Sequence, residues 1–524
     1  MRDLKELAGY DIITEEKIPE VNGTGYILSH KKTKARVLVI ANDDENKVFN
    51  IGFRTPPYDD SGIPHILEHS VLCGSRKYPV KDPFVELAKG SLNTFLNAMT
   101  YSDKTVYPIA SCNEKDFENL MDVYLDAVFY PNIYEHTEIM RQEGWHYELE
   151  TVEGELIYNG VVFNEMKGAF SSPEQQMYSK IEKLLLADTP YKNESGGDPA
   201  AIPTLSQERF LDFHRKYYHP SNSYIYLYGD LDMYKELDYI DKEYLSSFDY
   251  REIDSTIAVQ TAYEQMKDES CFYSIAENES EENQTFLTYN MVVGSSLDKK
   301  QSVAMNILEY AIMDAPGAPL KKALVDAGIG EDVFASFDDG IRQTIFSIVA
   351  RNANMSDKER FVSVIRDTLT DLSGHGEEGK AIDRTSIEAA INNFEFKHKE
   401  ANFGRFPKGL MMGLDAFNTW LYDDASALEM FKLNEVYDEL KESLKTGYFE
   451  ELIWEKLVQN TFGMIFVMKP KKGLDKENDA AEKQKLADYK ASLTENELEQ
   501  VVSDTKELKL YQETPSPAED MEKV

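Results

Sequence analysis

The alternation of hydrophobic and polar positions predicts a sheet in the first part of the chain. Two strands, Arg36–Ile40 and Val48–Phe53, flank a polar turn. Residues 94–110 alternate like a strand pair, and Tyr224–Tyr228, which ends at a glycine, predicts a further strand of the same sheet.

Several segments between these strands have helical spacing and recognisable ends. The first follows Val48–Phe53, with Ser61 as the expected N-cap, Pro64 in the first turn and Gly74 as the stop. Further helices are predicted for residues 83–90, for residues 114–130 and for a run that begins at Pro173.

The second part of the chain weakly repeats the first. Residues 246–269 are acidic and lack apolar periodicity, which predicts a domain boundary near residue 265. Beyond it, Asn306–Tyr310 repeats the Ile-Leu-Glu of His65–His69, with asparagine and tyrosine in place of the two histidines. Met464–Met468 would mirror the strand Tyr224–Tyr228. The match is short, but it fits an internal duplication.

The last fifty residues change in composition. They are rich in Lys, Asp and Glu, with Leu486, Tyr489 and Leu493 at helical spacing, and the run Pro515–Asp520 is typical of an exposed spacer. We therefore predict an α+β protein of two homologous domains, each a mixed sheet packed with helices, and a charged helical linker. The predicted ranges are 1–265, 266–472 and 473–524.

Composition limits the partners of the chain. Its 524 residues carry a formal net charge of −38, which argues against nucleic acid and anionic membranes and suits a basic peptide. No stretch reaches membrane-spanning length. Cys73, Cys112 and Cys271 are few and widely spaced, so no disulfide framework is expected. Without a signal or transit segment, a cytoplasmic location is the simplest interpretation.

The candidate chemistry lies in the short helix after Val48–Phe53. His65 and His69 are four residues apart and therefore share one helix face, with Glu68 beside them. This H-x-x-E-H order is that of inverted zinc peptidases. An ordinary amphipathic helix whose histidines line a core is the alternative.

A catalytic zinc site needs a third protein ligand. Glu165 is the best candidate, because it is distant in sequence and its neighbours Val161, Val162 and Met166 are apolar. On such a buried surface an unpaired carboxylate would be costly, and a metal ion would compensate its charge. A salt bridge with Lys or Arg is the alternative.

Four stretches together resemble the insulinase (pitrilysin) family, and most of all its presequence-protease branch, which includes falcilysin: His65–His69, Gly74–Phe84, Leu92–Tyr101 and Phe163–Gly168. The resemblance covers nearly the whole chain. It implies that the two histidines and Glu165 bind Zn2+ and that Glu68 is the general base. It also implies that Asn97 and Ala98, on a strand beside the site, hold the substrate backbone.

The resemblance also implies a missing part. Members of this family are roughly twice as long, and their two halves close around the peptide. The chain therefore resembles the N-terminal half of such an enzyme, with the C-terminal half as its partner.

We interpret the chain as a zinc-dependent endopeptidase that hydrolyses unstructured peptides. One alternative is a thioether-cleaving H-x-x-E-H lyase with cysteine as third ligand, for which Cys112 is available and Cys73 is too close to His69. Another is a non-catalytic assembly subunit of the same fold, although such subunits usually lose the motif.

Overall fold

The structure is a computed structural model that describes residues 2–377 and 379–523. Two large sheets and a small two-stranded one contain these strands: β1 Tyr10–Ile18, β2 Gly23–His30, β3 Arg36–Ala41, β4 Lys47–Arg54, β5 Asn93–Leu96, β6 Met99–Thr100, β7 Lys104–Ser111, β8 His146–Glu148, β9 Ile157–Asn159, β10 Ser223–Gly229, β11 Lys267–Ile275, β12 Thr285–Ser295, β13 Asp332–Asp338, β14 Gln343–Ala353 and β15 Gly463–Lys472.

The helices surround these sheets: α1 Ile63–Val71, α2 Pro83–Gly90, α3 Glu114–Phe129, α4 Thr137–Glu143, α5 Val161–Ala169, α6 Pro173–Leu185, α7 Gln207–Tyr217, α8 Met233–Glu243, α9 Lys299–Glu309, α10 Pro319–Asp326, α11 Lys358–Leu372, α12 Arg384–Glu400, α13 Lys408–Trp420, α14 Asn434–Ser443, α15 Tyr448–Ile453, α16 Leu474–Ser492, α17 Glu495–Glu513 and α18 Ala518–Met521. The α+β prediction is confirmed, and the strands and helices predicted in the first part of the chain are present.

The two large sheets have the same internal topology. The first has the order β1-β2-β3-β10-β4-β7-β5, with β6 also pairing with β7, and the second has the order β11-β15-β12-β14-β13. In each sheet one pair of neighbouring strands is parallel: β10 runs parallel to β3 in the first sheet, and β15 runs parallel to β11 in the second. All other neighbouring strands in the two sheets are antiparallel. The order β3-β10-β4-β7-β5 therefore corresponds strand by strand to the second sheet, as a duplication requires.

Each sheet is covered on one face by a helix from the other part of the chain. The apolar side of α13, including Phe417 and Trp420, packs on the β10 tyrosines of the first sheet. Conversely, α6 belongs to the first part of the chain, and its Met177 and Ile181 pack on the second sheet. The boundary near residue 265 stays a prediction, and neither predicted domain contains its complete core.

The C-terminal helices form a hairpin that packs on the first part of the chain. Leu486 and Val502 share a small hydrophobic cluster with Leu149 and Leu156, beside the β8–β9 ribbon. The ring of Tyr489 stacks on that of Tyr147 with centroids 4.9 Å apart. The helical prediction for this region was correct, but the description of Pro515–Asp520 as a spacer was incomplete. The segment is mostly exposed, yet the hydroxyl of Ser516 within it accepts a hydrogen bond from the backbone N–H of Lys81 at 3.0 Å.

Within the described residues, no helix combines the length and the apolar character needed to cross a bilayer. The cytoplasmic location stays a prediction.

Candidate metal centre

The helix α1 carries the H-x-x-E-H motif and has a sharply divided surface. Ile63, Ile66, Leu67 and Val71 are buried in the main hydrophobic cluster of the first sheet. The two histidines lie on the opposite side and are half-buried, with ring centroids 4.9 Å apart. Packing of the apolar side therefore holds both imidazoles toward the same open space.

The N-terminus of α1 differs from the prediction. The N-cap is Gly62, in a left-handed conformation with φ of 71°, and Ser61 makes no capping hydrogen bond. A Cβ at Gly62 would lie 2.7 Å from the Cα of Gly197, so only glycine allows this loop to approach the helix. The predicted stop at Gly74 was also slightly late, because the helix ends at Val71.

Glu165 of α5 meets the two histidines. Its Oε2 lies 3.7 Å from the Nε2 of His65 and 3.7 Å from the Nε2 of His69. Metal–ligand distances of about 2.0–2.1 Å in a tetrahedral site would separate the ligand atoms by about 3.3 Å, so the spacing fits zinc with a small contraction. Within residues 2–377 and 379–523, these three residues are the only such group of His, Cys, Asp and Glu side chains.

Both histidines are oriented by partners at Nδ1. The Nδ1 of His65 lies 3.0 Å from the carbonyl oxygen of Gly196, and that of His69 lies 3.3 Å from a carboxylate oxygen of Glu143 on α4. In each pair Nδ1–H donates, which leaves the lone pair of Nε2 free for a metal. The donor set and its supports therefore fit a zinc ion with an open coordination position.

The electrostatics of the cluster favour positive charge. Burial disfavours the charged imidazole of His69, but the hydrogen bond with Glu143 and the carboxylates of Glu68 and Glu165 outweigh it and raise the pKa of His69. Burial would raise the pKa of Glu143, but its hydrogen bonds, above all that with His69, lower it instead. A cation is accordingly stabilised at this point of the molecule.

The environment of Glu165 corrects one expectation. Its side chain is 54% exposed, and Val161 is exposed as well, although Val162 and Met166 are buried as predicted. The carboxylate therefore does not need a metal to compensate for burial. The two histidines, rather than a lysine or arginine, are the partners that the structure gives it.

Glu68 is 9% exposed and lines a pocket of about 270 Å³ beside His69. Asn97 and Ala98 line the same pocket, so the structure brings them to the site. They do not lie on a strand, as expected, but in the short break between β5 and β6. The rest of its wall is mixed: Leu72, Phe84 and Val85 are apolar, whereas Lys81, Asp82, Gln142 and Glu143 are polar or charged.

The two cysteines considered for a lyase do not join the ligands. Cys112 is exposed and follows β7 at the end where Ser111 pairs with Lys47, the first residue of β4. Within the described residues, the group of potential metal ligands contains no cysteine, and Cys112 does not line the pocket beside His69. Cys73 does lie in the pocket, where its thiol donates to the carbonyl of His69 at 3.5 Å.

Sequence reasoning missed the two supporting groups. The pair Gly196-Gly197 is a signal of close backbone approach, but nothing in the sequence connects it with His65. Glu143 has no distinguishing signal, because its helix contains another acid, Glu138, that would serve as well by sequence alone.

The fold and the donor set define a class of proteins: duplicated α+β sheets with a His-His-Glu centre on an inverted H-x-x-E-H helix. Comparisons with known proteins agree. The family model described as "Insulinase (Peptidase family M16)" matches residues 48–179. The model described as "Peptidase M16 inactive domain" matches residues 204–394, and a model for a segment associated with one subfamily of these peptidases matches residues 468–524.

Individual proteins that are similar to this chain match it over nearly its whole length. The chain is 48% identical over 517 residues to "Protein HypA" of Clostridium perfringens, with 99% of this chain and 52% of the relative covered. It is 40% identical to "Presequence protease 1, chloroplastic/mitochondrial" of Arabidopsis thaliana, with 99% and 48% covered. The crystal structure of pitrilysin matches 89% of this chain and 47% of its own with a TM-score of 0.59 at 17% identity, which shows the shared fold.

The chain belongs to the insulinase family, peptidase family M16. It spans about half the length of the curated relatives it matches. Those alignments cover nearly all of this chain, and the interpretation as the N-terminal half of an enzyme is not confirmed by them and stays a prediction.

Proposed function

We propose that this chain carries the catalytic centre of a zinc-dependent endopeptidase acting on unstructured peptides. The observation that carries the proposal is the convergence of His65, His69 and Glu165 through Nε2, Nε2 and Oε2, next to a pocket lined by Glu68. The family supports the same activity, because its description is that of peptidases.

The residues divide into ligands and a base. His65, His69 and Glu165 would hold the zinc ion, which would polarise the scissile carbonyl and lower the pKa of a water molecule toward about 7. Glu68 would accept the proton of that water and deliver it to the leaving amine. Its low exposure and its place beside His69 suit a base that acts on a group at the metal without binding the metal itself.

The edge of the first sheet suggests how the substrate binds. The strand β5 pairs only with β7 among the described residues, so its other edge is free to receive an extended peptide. The break that follows it is anchored: Asn97 N–H donates to the carbonyl of Pro108, and the Tyr124 hydroxyl donates to the carbonyl of Asn97. Asn97 and Ala98 would thus present fixed backbone beside Glu68.

Charge and length bear on the substrate and on the complete enzyme. The net charge of −38 favours basic peptides through long-range attraction. Relatives about twice as long support the proposal that a further module, the predicted C-terminal half, encloses the substrate in a chamber and supplies additional groups to the site.

The test combines metal analysis with a peptide assay. The purified chain is expected to contain about one zinc ion by elemental analysis, and a fluorogenic basic peptide should be cleaved, more rapidly when the predicted C-terminal half is added. Chelation should abolish cleavage, and zinc should restore it. A chain without bound zinc, or cleavage that survives complete chelation, would contradict the proposal.

The two alternatives give other outcomes in the same experiment. Zinc binding without cleavage, even with the added half, would favour the assembly subunit. Release of a thiol from a thioether substrate would favour the lyase, which the position of Cys112 opposes.

A further inference from the structure

The pocket beside Glu68 has one wall that the core holds weakly. This wall is α2, which contributes Phe84 and Val85 to the pocket. The helix has only eight residues and buries only two of them, Pro83 and Leu87. Such a short helix gains little from its own hydrogen bonds, so its position depends on the attachments at its two ends.

One end is held inside the first part of the chain. Two residues after the end of α2, the N–H of Leu92 donates to the carboxylate of Asp116 at 3.0 Å. At the other end Asp82 caps the helix by accepting from the N–H of Val85, also at 3.0 Å. Lys81, which precedes this cap, also lines the pocket, and its hydrogen bonds go to the C-terminal hairpin.

Lys81 bonds to the C-terminal end of α17 and the residues after it through three donations and a ring contact. Its ammonium donates to the carbonyl oxygens of Tyr511 and, at 2.7 Å, of Thr514. The same ammonium lies 4.2 Å from the centroid of the Tyr511 ring. Its backbone N–H donates to the Ser516 hydroxyl at 3.0 Å.

This arrangement uses a lysine for a physical reason. The helix α17 ends at Glu513, so the carbonyl of Tyr511 is among the last four, which have no partner within the helix. Those carbonyls carry the partial negative charge of the helix end, and a lysine ammonium satisfies and neutralises it. The contact with the tyrosine ring adds a cation–π attraction. The interaction therefore stabilises the end of α17 and the start of α2 together.

We propose that Lys81 is a positioning residue, through which the C-terminal hairpin sets the place of α2 and so the width of the pocket next to Glu68. The chemical consequence is selectivity: the apolar part of the pocket, formed by Leu72, Phe84 and Val85, contacts one side chain of the peptide, and the fit of that side chain depends on the hairpin. The selectivity part rests on the peptidase activity proposed above, whereas the attachment itself does not.

The attachment is tested on the chain alone by amide hydrogen exchange of residues 83–90. Lys81→Met keeps the length of the side chain but removes the donors, and exchange in α2 should rise about tenfold. Lys81→Arg should restore protection. Lys89→Met is the matched control, because Lys89 is an exposed residue of the same helix that pairs with Glu86, one turn away, at 3.5 Å.

A second variant reaches the same interaction from the hairpin. Tyr511→Leu removes the ring under the ammonium and should raise exchange in α2 although it lies far away in sequence. The double variant with Lys81→Met should show less than the sum of the two effects, as expected for groups in direct contact. Unchanged exchange in both single variants would overturn the proposal.

Selectivity is tested with three peptides that differ at one position, as Ala, Leu or Phe. The ratios of kcat/KM among them should change by about threefold or more in Lys81→Met and also in Tyr511→Leu, whose residue does not line the pocket, since binding pockets discriminate by their fit. Zinc content should stay the same, and Lys89→Met should keep the ratios of the wild type. Equal ratios in all variants would overturn the link to selectivity. If no peptide is cleaved at all, the proposed peptidase function fails, while the exchange experiment still decides whether the hairpin holds α2.

Discussion

The helices α1 and α9 occupy the same place in the two halves of the duplication and differ in chemistry. Each helix follows the middle strand of its repeat in the chain: α1 follows β4, and α9 follows β12. Each has a buried Ile-Leu pair in the same position, Ile66-Leu67 in α1 and Ile307-Leu308 in α9. The fold therefore requires the apolar side of this helix in both halves.

The opposite sides diverge. Where α1 has His65, supported by a carbonyl, α9 has Asn306, whose amide donates to Ser302 and Asp339. The second histidine is replaced by Tyr310, at which α9 passes into a π-helical turn ending at Asp314. Glu68 and Glu309 are equivalent, yet only Glu68 lies beside a group of side chains that could hold a metal ion. The site is thus a local addition to a scaffold that serves elsewhere without it.

The largest expected effect is on the rate of peptide hydrolysis, and it distinguishes Glu68 of α1 from the equivalent Glu309 of α9. Glu68→Gln should lower peptide hydrolysis by roughly a hundred- to ten-thousandfold, because the proposed general base would be lost while the three proposed ligands would remain. Zinc content should stay near that of the wild type. Glu309→Gln is the matched control and should leave the rate unchanged. A Glu68→Gln variant of nearly full activity would remove the functional difference between α1 and α9.

The next effect concerns Glu165, the proposed third ligand, which α5 brings to the two histidines of α1. Glu165→Gln should lower zinc affinity by more than about a hundredfold, beyond the range of a supporting residue, because amide oxygen is a weak replacement for carboxylate. Competition with a zinc-binding dye measures the affinity. Asn164→Asp, next to it on the same exposed side of α5, serves as control. Undiminished affinity in Glu165→Gln would place the third ligand elsewhere.

A smaller loss is expected for the residue that orients His69. Glu143→Gln should weaken zinc binding by about 10–100-fold, since partners of metal-bound histidines usually have effects of this size. The same dye competition applies, with Glu138→Gln as control on α4. Equal affinities for the two variants would mean that the 3.3 Å contact with His69 does not support the site.

The smallest effect belongs to α9. Burial, together with the charge of Asp314, raises the pKa of Glu309 from its ordinary 4.5 to about 7. The folded protein then holds a proton that the unfolded chain has lost, so this contribution to stability is complete below pH 4.5 and disappears as the pH rises through 7. Above that, the charged group destabilises the fold by about 1–3 kcal/mol.

Urea unfolding of the wild type and of Glu309→Gln at pH 5 and pH 8 measures this contribution. The variant should gain stability relative to the wild type only at pH 8, where the wild-type group is charged. Glu388→Gln, on the exposed side of α12, is the control. The same difference at both pH values would show that Glu309 does not titrate in this range.

The sequence by itself determined the features that depend on local spacing. Two histidines four apart must share a helix face, and the apolar residues between them must turn inward. The strand pattern and the weak repeat of Ile-Leu-Glu could be predicted in the same way. These features depend on the spacing of residues that are close in sequence, and that spacing can be counted without a structure.

Only the tertiary structure decided which distant groups meet these residues. The carbonyl of Gly196 and the carboxylate of Glu143 reach the histidines across long stretches of chain, and α6 and α13 cross to the opposite sheets. The exposure of Glu165 and the attachment of Lys81 to α17 also depend on how separate elements pack. Such contacts arise from the sum of many weak apolar interactions, which no local pattern encodes.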